Sequence, residues 1–144
     1  MEPEIGPNAG NIGRLCLGVG ARLHLIHPLG FRTDDKAVRR AGLDYWKHVD
    51  VQEHQSLERF WTWCGDRRVL AFSTKAERPY TKIEWQADDV LLFGPESRGL
   101  PESVLEERGA WTIPMTGPIR SLNLANAVAV VAYGALQHLE SHLF

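Results

Sequence analysis

Cysteine is scarce in this chain. Its 144 residues carry two, Cys16 and Cys64, far apart and forming no CxxC pair. A disulfide framework or a zinc cluster has no ligand set to build on, and free thiols fit a reducing, cytoplasmic setting. Long apolar runs are missing as well. None approaches the roughly 18 residues of a membrane span. The opening Met1-Glu2-Pro3-Glu4 has neither the basic nor the apolar region of a signal peptide. A soluble protein with no membrane partner is expected. Excess charge of one sign is absent too: 16 Lys and Arg stand against 18 Asp and Glu, a net charge of −2 with a pI of about 6.3. Proteins that coat nucleic acid through bulk charge are strongly basic. That class is excluded, whereas a local basic patch is not. Internal repeats and low-complexity stretches are also lacking.

What is present suits one domain spanning residues 1–144, with 44% hydrophobic residues to fill a core. Asn8-Ala9-Gly10-Asn11 reads as a loop and helix cap, followed by a helix from Ile12 to Gly20. Arg22–His27 reads as a strand stopped by Pro28 and Gly30. Asp34–Gly42 reads as a short helix with an acidic start and a basic end. A helix over Leu57–Cys64 carries Phe60, Trp61 and Trp63. Strands follow at Val69–Ser73, Asp89–Phe93 and Thr112–Met115. The second of these is apolar without alternation, as expected where both sheet faces are covered. The longest helix runs from Leu122 to Leu139. It is apolar nearly all round, which marks either a central helix or a subunit interface. Alternating strands and helices give an α/β fold with a mainly parallel sheet flanked by helices.

Two segments carry the chemistry. In Leu91-Leu92-Phe93-Gly94-Pro95-Glu96-Ser97-Arg98-Gly99-Leu100-Pro101 a buried strand opens abruptly into a Gly/Pro loop holding an acid and a base. In Arg120-Ser121-Leu122-Asn123-Leu124-Ala125-Asn126-Ala127 two small hydrogen-bonding residues stand at the mouth of a long apolar helix. Polar groups at both transitions indicate a pocket. A third block, Asn8 through Arg14, precedes them.

In order and spacing these three blocks resemble the motifs of the SPOUT RNA methyltransferases. The stretch from Asp34 through Tyr45 is similar to the small stand-alone branch that 2′-O-methylates the tRNA wobble nucleotide. The resemblance covers nearly the whole chain. It implies a C-terminal trefoil knot, S-adenosyl-L-methionine as cofactor and a homodimer. None of these follows from periodicity. One departure stands out. Family members usually begin with a short hydrophobic strand before the Glu-Pro-Glu-Ile segment, and here Met1 sits directly before it, so the usual first strand is expected to be lacking. Each buried apolar side chain lost with it would cost roughly 1.5–3 kcal/mol, against a typical stability of about 5–15 kcal/mol.

Methyl transfer to a ribose 2′-OH needs the reacting atoms held in line and a way for the hydroxyl to lose its proton. The resemblance casts Arg14 as base or activator. A guanidinium pKa above about 12 makes a base awkward, and a donor to the ribose and adjacent phosphate is the chemically easier role. The plain alternative is a surface arginine in a salt bridge. Asn8 would orient Arg14 or the ribose, or simply cap a helix. Glu96 would hold substrate or pair with Arg14 of a partner subunit, or be a solvated loop acid. Ser121 and Asn123 match the pair that contacts cofactor and substrate, and helix capping would use the same atoms. Phe72, Gly94, Ile113, Met115, Ser121 and Leu122 match cofactor-binding positions, with plain strand core the alternative for Phe72 and Ile113. Lys36, Arg39 and Arg40, with Arg32 just upstream, form a candidate RNA-phosphate patch. His24 and His27 lie three apart in a strand, on opposite faces, so they are no metal pair. No metal is expected. Trp61 and Trp63 are expected to pack the core or an interface.

The expected activity is S-adenosylmethionine-dependent 2′-O-methylation of the wobble ribose, a cytidine or modified uridine, with the tRNA anticodon arm as partner. The alternatives are another tRNA or ribosomal RNA position, or an RNA-binding module with impaired catalysis.

Overall fold

Short runs rich in Val, Leu, Ile and Phe build three of the six strands of this protein, whose computed structural model describes residues 1–34 and 44–144. The strands are β1 (Leu23–Ile26), β2 (Val51–His54), β3 (Val69–Phe72), β4 (Arg78–Pro79), β5 (Val90–Phe93) and β6 (Trp111–Thr112). Every pairing among the described residues is parallel. β1 and β2 form a two-stranded sheet, and the other four lie in the order β4-β6-β3-β5. β3 is buried along its whole length. Val69 and Ala71 face a cluster with Ile26, Phe60, Cys64, Leu92, Leu100 and Val104. Leu70 and Phe72 face the opposite cluster with Ile83, Trp85 and Val131. Both faces being covered explains a strand without polar alternation, and the α/β reading of the sequence holds.

The helices are α1 (Gly6–Val19), α2 (Leu57–Cys64), α3 (Glu102–Arg108) and α4 (Leu124–Leu139). α2 has its expected bounds. Ser56 accepts the Arg59 amide at its start, and Gly65, with φ of 53°, ends it. α1 begins well before the expected Ile12, so Asn8–Asn11 is helix and not loop. Pro7 suits the first helical turn, and the donors at this end are taken by Glu96 from a distant loop, a partner that local sequence does not reveal. Gly20, with φ of 67°, closes the helix through its N–H to the Cys16 carbonyl. The strand expected over Thr112–Met115 is shorter and runs from Trp111 to Thr112. β2, β4 and α3 were not anticipated: β2 reads Val-Gln-Glu-His with one apolar residue, β4 contains Pro79, and α3 spans 7 residues. The expected helix over Asp34–Gly42 lies almost wholly outside the described residues.

α4 starts at Leu124, capped by Asn123. It is not enclosed. Ala125 and Val131 are buried, whereas Val130, Tyr133 and Leu139 are 38%, 48% and 40% exposed. Of the two readings of its all-round apolarity, the central-helix one fails within a single copy of the chain.

β1 and β5 face one another without hydrogen bonding. The first residues bridge them: the Met1 ammonium donates to the Phe93 carbonyl at 2.7 Å, and the Glu2 amide to Ile26 at 2.8 Å. Beside this bridge is a cavity of about 730 Å³ lined by Leu25, Leu91, Leu124 and Val128 among others.

His24 and His27 do point apart. His24 Nδ1 lies 2.8 Å from His54 Nε2, with the rings stacked beside Trp63 and Phe60, while His27 Nε2 lies 2.7 Å from Glu53. Trp61 and Trp63 pack against the first core cluster as expected. Cys16 and Cys64 are free and buried. Among the described residues no helix is long and apolar enough to cross a membrane, and no three metal-donor side chains converge.

Candidate active site

In parallel sheets, ligand sites form outside the carboxyl ends of the strands. At that end Phe72, the last residue of β3, is in register with Phe93, the last of β5, and with Trp111, the first of β6. On the two strands flanking β3, Gly94 follows one residue and Ile113 two residues beyond that level. The Phe72 ring is buried and stacked on Phe93 with centroids 4.8 Å apart, and Ile113 packs against the same cluster. Their side chains are core, as the plain alternative had it.

After β5 the chain folds back on itself. The Gly99 amide donates to the Pro95 carbonyl at 2.9 Å, and Gly99 has φ of 70°. Gly94 is pressed so closely on this turn that a Cβ there would stand 2.2 Å from the Gly99 carbonyl carbon. Only glycine satisfies both demands. The turn aims Glu96 at the start of α1. Its carboxylate accepts the amides of Glu4 and Ile5 at 2.8 and 3.2 Å and the Asn8 side-chain Nδ2 at 2.9 Å. Glu4 reciprocates, accepting the Ser97 amide and hydroxyl at 2.9 and 2.7 Å. Arg98 pairs with Glu2. Burial pushes the Glu96 carboxyl up, but the bonds from Asn8 and the amides outweigh it and hold the group below its usual value. An ionised acid at a helix N-terminus is also favoured by the helix dipole.

Asn8 joins the three motif segments. It is 5% exposed. Its Nδ2 faces a carboxylate, which only accepts, so its Oδ1 must be the atom that accepts Asn123 Nδ2 at 2.9 Å. Asn123 Oδ1 then takes the amides of Ala125 and Asn126 at 2.9 and 3.4 Å, capping α4. The line Glu96–Asn8–Asn123 thus has one consistent polarity from loop to helix. Capping and site-building use the same atoms.

Arg14 lies farther along α1, exposed. Its guanidinium sits over the Tyr45 ring, 5.0 Å from the centroid, and not in a salt bridge among the described residues. Ser121 is exposed, and Leu122 and Met115 are half-buried. Arg32 is exposed and bound to Asp34 at 2.6 Å. Lys36, Arg39 and Arg40 lie outside the described residues. The large cavity is a separate feature, since neither Gly94, Ile113 nor Ser121 lines it. Sequence reading missed Glu4, Ser97 and Tyr45. An acid immediately before a helix that lacks a capping side chain was the available signal for Glu4.

Three comparisons with known proteins agree with this arrangement. The sequence profile of the SpoU rRNA Methylase family matches residues 1–133. A tRNA (cytidine(34)-2'-O)-methyltransferase of Aeromonas hydrophila is 48% identical over 141 residues, covering 96% of this chain and 90% of that protein. A solved structure concerned with the 2-OH methylation of C/U34 on tRNA is 49% identical, covers 97% of this chain and 93% of its own, and superposes with a TM-score of 0.92. An AdoMet-bound rRNA methyltransferase from Sinorhizobium meliloti is 29% identical with a TM-score of 0.78, covering 92% of this chain and 52% of its own. With a profile match over nearly its full length and relatives of this identity, the chain belongs to the SpoU rRNA Methylase family.

Proposed function

We propose that this protein transfers a methyl group from S-adenosylmethionine to the 2′-hydroxyl of the wobble ribose of tRNA, cytidine or modified uridine. The observation that carries the reading is the Asn8 junction. It locks the N-terminal motif, the glycine loop and the mouth of α4 into one frame at the carboxyl edge of the sheet. The near half-identical relatives named for C34 methylation point to the substrate.

The residues at the strand ends suit the cofactor. Main chain at Phe72, Gly94 and Ile113, the apolar Met115 and Leu122 and the exposed Ser121 hydroxyl match a ligand with an adenine and a zwitterionic end. S-adenosylmethionine supplies the methyl as a sulfonium electrophile. The protein's part is geometric and electrostatic. Asn8 and Glu96 hold α1 in place, so Arg14 projects at a set distance from the loop. Arg14 would donate to the hydroxyl and the adjacent phosphate, steadying charge as the oxygen bonds the methyl, the thioether S-adenosylhomocysteine departs and the hydroxyl proton passes to solvent water. Glu96 is committed to three donors, so its role is positioning. Asn123 sets the angle of α4 and with it Ser121.

The same reading extends to the assembly. Exposed Val130, Tyr133 and Leu139 on α4, which packs on α1, support a homodimer. The family likeness supports a C-terminal knot in a single domain. Arg32, with Lys36, Arg39 and Arg40, is assigned to the anticodon arm, in a cytoplasmic enzyme.

The test compares purified protein with Arg14→Ala in methyl transfer from labelled S-adenosylmethionine to unmodified tRNA. The variant is expected to lose about 100-fold or more in rate and to bind the cofactor normally by calorimetry. A variant as active as the parent would remove Arg14 from the chemistry.

A further inference from the structure

The turn of helix over Asp44–His48 is docked on α1 by two aromatic side chains, each meeting a glycine. The Tyr45 hydroxyl donates to the Gly10 carbonyl at 2.8 Å. The Trp46 ring lies so close to Gly13 that a Cβ there would stand 2.7 Å from it. Trp46 also packs against the buried Cys16, Leu23 and Leu25, so the turn is anchored in the core. Gly10 and Arg14 are one helical turn apart and share a face of α1. A phenol anchored by its oxygen at Gly10 must therefore lie along that face toward Arg14, and the guanidinium is found over the ring. A contact 5.0 Å from the centroid lies within the range of a cation–π interaction.

We propose that Tyr45 is a positioning residue for the methyl transfer: its ring is the platform that sets the direction of the Arg14 guanidinium, and Trp46 against Gly13 keeps the platform in place. Free arginine samples many rotamers, and a ring on one side of the guanidinium leaves its edge and other face for the ribose and phosphate. The ring supplies the effect, and the hydroxyl only anchors it. The proposal rests on the reading of Arg14 as the group that meets the ribose.

The experiment compares Tyr45→Phe and Tyr45→Leu in the full-length protein. Three things are measured: steady-state methyl transfer, cofactor affinity, and the Arg14 Nε–H resonance by NMR. Tyr45→Phe keeps the ring and is expected to stay within about 3-fold of the parent in kcat. Tyr45→Leu is expected to lose about 10-fold or more in kcat, with KM for S-adenosylmethionine, its binding and the melting temperature little changed. The Arg14 resonance should be ring-current shifted in the parent and Tyr45→Phe and lose that shift in Tyr45→Leu. Three results would overturn the proposal: no such shift in the parent, Tyr45→Leu with parental kcat, or Tyr45→Leu losing cofactor binding and melting temperature together. Should the parent label no RNA, the functional reading falls, while the resonance still decides whether Tyr45 holds Arg14.

Discussion

Asn8 shows why a small amide, and no other side chain of its size, suits the centre of this site. It must donate to a carboxylate on one side and accept from an amide on the other. Asn8→Asp keeps the shape and removes the donor, setting a second carboxylate against Glu96. A lost charge-assisted bond and the new repulsion should cost about 1–3 kcal/mol, read as a lower melting temperature at neutral pH. The variant should recover part of the difference on acidification, when the carboxylate pair shares a proton. Methyl transfer should fall with it. The sequence singles out Asn8 as a residue that orients Arg14 or the ribose, or caps a helix. Its link to Glu96 spans 88 positions of the chain, and no local pattern encodes a contact of that range. Arg14 is legible through the motif that contains it, whereas the Tyr45 ring meets its guanidinium only through tertiary packing.

At the scale of elements, the turn after β5 and the β1–β2 pair carry separate tests. Gly94→Ala forces a methyl onto the Gly99 backbone, which cannot move aside as a flexible side chain would. Cofactor binding measured by calorimetry should be lost, with a melting temperature lowered by several degrees. The β1–β2 pair holds His24 against His54. Burial pulls the His24 ring down to about 4, helped by His54, Arg22 and Arg67 and opposed by Asp50. A folded value below the unfolded 6.5 means that the unfolded chain binds more protons between them. The stability from this group is complete above about 6.5 and is lost as pH falls toward about 4. Thermal melts across that window should show the loss, and His24→Gln should flatten it. Elements with strong local signals were readable: α2 has a serine cap and a terminal glycine, and β5 is an unbroken apolar run. α1's true start and β2 were not, since the first depends on Glu96 and the second on pairing with β1.

For the whole molecule, composition and alternation of elements were enough for an α/β protein with a parallel sheet, and the ordered motifs for its family. The relation between copies is a matter of surface. α4 leaves Val130, Tyr133 and Leu139 exposed on a helix that reads as buried. An apolar face of that kind on a helix packed against α1 predicts a dimer by sedimentation. Tyr133→Asp should shift it toward monomer and reduce methyl transfer, while a face that stays monomeric in the parent would remove the dimer from the account.

Methyl transfer to one nucleotide is the reaction that every residue role above serves. Unmodified tRNA methylated by the purified protein with labelled S-adenosylmethionine, digested and mapped nucleotide by nucleotide, tests it most directly. The predicted result is a single 2′-O-methyl group on the wobble ribose. Label on a base, or on a ribose elsewhere in the RNA, would contradict it.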